Sequence, residues 1–140
     1  MKCLASIIAA KIALTAVFWV AMPLLATSGF LHKLGFPNPD SIGLFLKLLG
    51  VAYLSLLVSY VDGFRDARRG MYPRQTVTIG IVSNGGAFVV LSAGAVLDVW
   101  GSWGPWAQGY LWLSLLATGL FTAGLVRCGP FEVLKLTDCK

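Results

Sequence analysis

The polar residues of this chain fall into short stretches that separate four long apolar runs, residues 12–31, 42–61, 76–97 and 108–126. Each run is close to the ~20 residues an α-helix needs to cross a ~30 Å hydrocarbon core. None of the four contains Asp or Glu. The pattern predicts an all-α protein, an integral membrane four-helix bundle built as a single transmembrane domain over residues 1–140. The stretch between the second and third runs holds Arg65, Arg68, Arg69 and Arg74, whereas the stretch between the third and fourth holds no Lys or Arg. Basic residues beside membrane segments stay on the cytoplasmic side. The expected orientation is therefore N-in, C-in, with Lys2, the four arginines, Arg127, Lys135 and Lys140 inside and Lys11 at the inner boundary. Lys33, with Lys47 nearby, lies toward the other side.

Local signals refine the elements. Pro23 in the first run removes an intrahelical hydrogen bond and predicts a kink, which neighbouring helices make tolerable in a membrane. The first outer loop, residues 29–40, is rich in turn formers, and Asp40 or Ser41 is placed to cap the second helix. That helix is expected to continue to Arg69, with Asp62–Arg65 and Asp66–Arg69 as pairs three residues apart. Gly70 then serves as the C′ residue and Pro73 blocks continuation. The second outer loop carries Trp100, Trp103 and Trp106, with Tyr110 and Trp112 beyond, which reads as an interfacial aromatic belt. The tail from residue 128 to 140 is expected to lie along the inner surface as a short amphipathic segment.

Composition narrows the class further. Hydrophobic residues make up 57% of the chain and charged residues 12%, against about 25% charged in an ordinary soluble domain. A chain of 15.0 kDa cannot hide that much apolar surface from water, so lipid must cover much of it. The formal net charge is +5. Because the cations sit beside membrane segments, anionic lipid head groups rather than nucleic acid are their expected partners. Cys3, Cys128 and Cys139 all fall at the cytoplasmic side of this topology and read as free or interfacial thiols. The N-terminal stretch has the outline of a signal peptide, but Lys11 interrupts its apolar block. It is read as the first transmembrane helix.

Few residues suggest chemistry. No catalytic set, glycine-rich phosphate loop or metal-binding cluster is visible, and the single His32 cannot supply a pair of haem ligands. No catalytic or metal-ligating residue is therefore assigned. The third run contains Gly80, Ser83, Asn84, Gly85 and Gly86 near its middle, where small residues let helices approach closely and Asn hydrogen-bonds across the contact. Gly50, Ser114 and Thr118, with Thr122, are the matching packing positions on the second and fourth helices. The alternative is that Asn84 lines a polar cavity for a quinone, a lipid head or an ion, with Lys47 and Tyr53 as further candidates for such a ligand. Lys47, near a helix end, either snorkels outward or binds an anionic group.

The motifs Phe45-Leu46-Lys47-Leu48-Leu49-Gly50-Val51-Ala52-Tyr53-Leu54 and Ser83-Asn84-Gly85-Gly86, with the basic turn between the second and third spans, give a chain that resembles small bacterial four-helix membrane proteins of the DoxX-like kind. The resemblance implies a multi-pass protein of the bacterial inner membrane, and the family's namesake implies association with redox chemistry; it carries no cofactor ligand onto a residue here. The expected function is a non-catalytic accessory subunit of a larger inner-membrane complex, respiratory or redox in kind. Other membrane subunits and membrane lipids are the expected partners, no cofactor is required, and Phe36, Trp100, Trp103 and Trp106 form the expected contact surface. The alternative is an independent binder or carrier of a quinone, lipid or other apolar molecule.

Overall fold

The computed structural model describes residues 2–129. Those residues form five helices: α1 (Lys2–Leu25), α2 (Ser28–Lys33), α3 (Pro39–Arg68), α4 (Arg74–Val96) and α5 (Pro105–Cys128). All except α2 are long and apolar enough to cross a membrane, and no strand occurs among the described residues. The protein is an integral membrane four-helix bundle. Its outward faces carry Leu44, Phe45, Leu48, Val82, Val89, Val90, Leu116 and Leu120, each more than half exposed. Lipid is the natural solvent for such faces.

The first span differs most from expectation. It begins at Lys2 rather than residue 12, and it breaks at Ala26, whose backbone is extended. Thr27 starts the next helix, its Oγ1 accepting from Phe30 N at 3.3 Å, so part of the expected outer loop is the short helix α2. At the start of α3, Asn38 occupies the cap in a left-handed conformation and makes no side-chain capping bond. Asp40 falls in the first helical turn instead of capping, because Pro39 already fixes a helical φ one residue earlier. Of the two expected ion pairs, Asp62–Arg65 forms at 3.3 Å, while Asp66–Arg69 is not made among the described residues.

Pro23 is accommodated by a change of helical register. Residues Thr15–Ala21 form a π-helical turn, and the Met22 N–H reaches back five residues to the Val17 carbonyl. The next bond in that register would run from residue 23 to the Phe18 carbonyl, and proline has no N–H to make it. The Tyr110 hydroxyl of α5 donates to that carbonyl at 3.1 Å. A backbone defect in α1 is thereby satisfied by a side chain of another helix, as a membrane interior requires.

Two apolar clusters fill the bundle. One, at the end bearing the arginines, contains Leu4, Ile8, Tyr60, Val77, Leu125 and Cys128. Here the structure departs from the expectation of free thiols: Cys3 and Cys128 are joined as a disulfide, their Cα atoms 6.1 Å apart. The register of α1 against α5 brings these two helix ends together, which sequence spacing does not reveal. Cys139 and the expected amphipathic tail beyond Gly129 lie outside the described residues. The other cluster contains Ala26, Leu31, Phe36 and Ala107, with Trp103 and Tyr110 against it. There the outer loops are tied by their backbones, Gly104 N donating to Gly35 O at 2.9 Å and Ala107 N to Leu34 O at 3.1 Å. Gly35 has φ +82° and lies against the Gly104 backbone, with no room for a Cβ, so two demands converge on glycine there.

Candidate functional site

Between the two apolar clusters lies a polar layer centred on Lys11. Helix α1 buries the stripe Leu4, Ile8, Lys11, Thr15 and Trp19, the three- and four-residue spacing of one helical face. Lys11 is only 3% exposed. Its Nζ donates to Asn84 Oδ1 of α4 at 2.7 Å. It also stands over the Tyr60 ring of α3 at 4.8 Å and the Phe121 ring of α5 at 4.9 Å. All four long helices therefore meet at one ammonium group, and no carboxylate pairs with it among the described residues.

A lone Lys at the bilayer centre costs roughly 2.5–3.5 kcal/mol on insertion scales. A hydrogen bond to a charged group contributes about 1.5–3 kcal/mol, and a desolvated cation–π contact about 2 kcal/mol. The gains match the cost, so the cage makes a buried Lys tolerable without a counter-ion. Asn84 is itself held in place: its Nδ2 donates to the Gly80 carbonyl one turn back. Beside it the Tyr60 and Ser83 hydroxyls are hydrogen-bonded at 3.1 Å.

Above the layer, toward the end bearing Phe36 and Trp103, is a cavity of about 330 Å³. Its walls come from α1, α3, α4 and α5 and include Trp19, Leu46, Ala87, Leu91, Trp103 and Tyr110. Most of its polar groups are committed. Trp19 Nε1 donates to Ser114 Oγ at 3.3 Å, and Ser114 Oγ donates to the Tyr110 carbonyl at 2.8 Å. The Tyr110 hydroxyl is taken by Phe18. Tyr53 also lines the cavity, and its hydroxyl, which is not fully buried, has no hydrogen-bond partner among the described residues. Trp19 and Tyr53, with rings 6.4 Å apart, also line a small chamber of about 10 Å³ with Lys11, Thr15, Asn84 and Thr118. That chamber is close to the size of one water molecule. The two side chains form a partition between an apolar cavity and a buried cation.

Of the candidates for ligand contact, the structure brings Tyr53 and Asn84 to one place and leaves Lys47 apart, exposed on α3 and lining none of these cavities. Among the packing candidates, Gly50 lies against Leu24 and Pro23, and Gly80 against Leu125 and Tyr60. Ser114 and Thr118 are buried, and Thr118 returns its hydroxyl hydrogen to the Ser114 carbonyl of its own helix at 2.8 Å. Gly85 is in ordinary contact with Thr122. Gly86 corrects the expectation: it is exposed, with nothing within 4 Å of an added Cβ. Two residues beyond Asn84 is about 200° around a helix, so a position near the buried one in sequence faces the opposite way. The aromatic surface is corrected as well. Phe36 and Trp100 are each 6% exposed while Trp106 is 73% exposed. Trp103 is half-buried against Phe36, with ring centroids 5.8 Å apart.

Lys11, Trp19 and Tyr110 are the site residues that sequence reasoning missed. The signal for Lys11 was present: residues 4–25 form an apolar run as long as the one beginning at residue 12, with a single Lys inside it. Compared with protein-family models, with curated proteins and with solved structures, the chain finds no match in any of the three.

Proposed function

We propose that this protein binds a neutral, largely apolar small molecule drawn from the bilayer. The molecule would carry a hydrogen-bond acceptor that takes the free Tyr53 hydroxyl. The observation that carries this reading is the cavity of about 330 Å³ among Trp19, Phe36, Trp103 and Tyr110, whose lining includes Tyr53, a side chain with no hydrogen-bond partner for its hydroxyl among the described residues. Small-molecule sites have this size and character, mostly apolar with a few placed polar groups. A flat ring bearing a carbonyl, as in a quinone, suits an aromatic wall and a single donor. The predominantly apolar and aromatic lining supports a role in binding or carriage. The buried Lys11 lies one side-chain layer away, behind Trp19 and Tyr53, where its field favours an acceptor oxygen over a donor.

In this reading the protein sits in a bacterial inner membrane with the arginine-bearing end in the cytoplasm, as the basic residues favour; the Cys3–Cys128 disulfide at that end weighs the other way, since disulfides favour an oxidising compartment. A reporter active only in the cytoplasm should work when fused after Lys140 and fail when inserted at Ser102; the reverse pattern overturns that orientation. The accessory-subunit reading stands second, because Phe36 and Trp100 are turned into the protein and leave Trp106 as the principal exposed aromatic of the expected contact surface. Purification in mild detergent followed by extraction and mass analysis separates the two readings. A co-purifying neutral small molecule near one equivalent supports the binder. Stoichiometric partner chains without such a molecule support the subunit.

A further inference from the structure

A second recess lies at the opposite end of the bundle, independent of the cavity above. It is a groove of about 530 Å³ between the start of α1 and the end of α3, lined among others by Lys2, Ala5, Ala9, Phe64, Ala67 and Arg68. Three alanines give it depth and an apolar floor, and two cations stand on its rim. The arginines nearby are not equivalent. Arg65 is engaged by Asp62 at 3.3 Å. Arg68, one turn on, lies over the Phe64 ring at 5.9 Å and meets no carboxylate among the described residues. Phe64 and Arg68 both line the groove, so this stacking holds the guanidinium at its edge.

We propose that this groove is a binding site for one anionic phospholipid. Its phosphate would lie between Lys2 and Arg68, and an acyl chain would run along Ala5, Ala9 and Phe64. Two features of the groove select this occupant. Paired cations at the rim call for a phosphate, and basic pockets between transmembrane helices suit anionic head groups. The apolar floor calls for a chain attached to that phosphate, which a soluble anion lacks. A zwitterionic lipid offers the chain but its own ammonium cancels much of the charge attraction.

The test uses the full chain, purified in mild detergent and exchanged into phosphatidylcholine with or without phosphatidylglycerol. Native mass spectrometry should find one phosphatidylglycerol retained in preference to phosphatidylcholine. Retention should fall about five-fold for Lys2→Gln or Arg68→Gln alone and roughly 30-fold for the pair, following the contribution expected of each cation near anionic lipid. Arg69→Gln/Arg74→Gln, which removes two cations that do not line the groove, should retain the lipid. The groove pair is exposed and should melt as the parent does in pure phosphatidylcholine, losing only the added stability that phosphatidylglycerol confers. Equal loss in the Arg69/Arg74 control would reduce the effect to diffuse surface charge and overturn the proposal. So would the absence of preferential retention in the parent protein. Inorganic phosphate stabilising the parent as well as the lipid does would make this a free-phosphate site and overturn the lipid assignment.

Discussion

Lys11 and Asn84 are 73 positions apart in the chain, yet the Lys11 ammonium donates to the Asn84 side-chain carbonyl at 2.7 Å inside the bundle. Asn84 is the one hydrogen-bond acceptor of Lys11 among the described residues, and the Tyr60 and Phe121 rings stand against the ammonium. The pair is therefore asymmetric. Removing the cation leaves a neutral amide that still bonds Gly80, whereas removing the amide leaves a charge without its acceptor. Asn84→Leu should destabilise the protein by about 1–3 kcal/mol, the cost of an orphaned buried partner. Lys11→Met should cost less, and the double variant should cost less than the sum of the two. Denaturant titration of all four proteins in one detergent measures the coupling. Strictly additive losses would mean the contact is not formed.

Tyr110 is tied to Pro23 through a carbonyl neither of them owns. Tyr110→Phe should cost about 1 kcal/mol by leaving the Phe18 carbonyl unpaired. Introducing Pro23→Ala restores a backbone N–H at residue 23, so the same Tyr110→Phe change should then cost clearly less. An equal cost in both backgrounds would show that the hydroxyl matters for some other reason than the proline.

Glycines six residues apart on α4 should respond in opposite directions. A Cβ at Gly80 would come within 2.6 Å of Leu125 Cδ1, and Gly80→Ala should destabilise by about 1–3 kcal/mol through overpacking. Gly86 faces open space, and Gly86→Ala should be neutral or gain up to about 1 kcal/mol from helix propensity. Melting curves in detergent decide it; similar losses at both positions would place α4 in a different rotation.

Cys3 and Cys128 should be protected from alkylation as one bridged pair. In a Cys139→Ala background, a mass-tagged maleimide applied to denatured, unreduced protein should add nothing, and after reduction it should add two tags. Two tags before reduction would show that the thiols are free.

Three of the four spans are legible from apolar run length because each is bounded by residues that cannot enter hydrocarbon alone. The first was displaced by the same reasoning. Apolar run length and basic-residue placement put Lys11 at the inner boundary, and the groups that make it tolerable inside the bundle, Asn84, Tyr60 and Phe121, come from three other helices. The apolar run from residue 4 to 25 shows where the Lys sits, but the partners that compensate it lie on other helices and leave no local trace. Asn84 was legible as a polar residue among small ones, but the same motif extends to Gly86, and only the rotation of α4 separates the buried position from the exposed one. The cluster of tryptophans reads equally well as a belt, a partner surface or a cavity wall. The backbone bonds between the Gly35 and Gly104 loops fold Phe36 and Trp103 inward and leave Trp106 exposed. The cavity itself has no sequence signature, since it is bounded by side chains from four helices.

The most direct measurement is a fluorescence titration of the protein in lipid nanodiscs with a short-tailed benzoquinone. Trp19 and Trp103 line the cavity and should report a quinone bound beside them by quenching. Saturable quenching is expected in the parent protein. The saturable phase should be lost in Ala87→Phe, which fills the cavity from α4, and retained in Val82→Phe on the exposed face of the same helix. Tyr53→Phe should weaken binding by roughly five- to ten-fold, the worth of one hydrogen bond at about 1 kcal/mol. Quenching that rises linearly without saturation, or that is the same in Ala87→Phe as in the parent, would contradict the proposal that this cavity is a binding site.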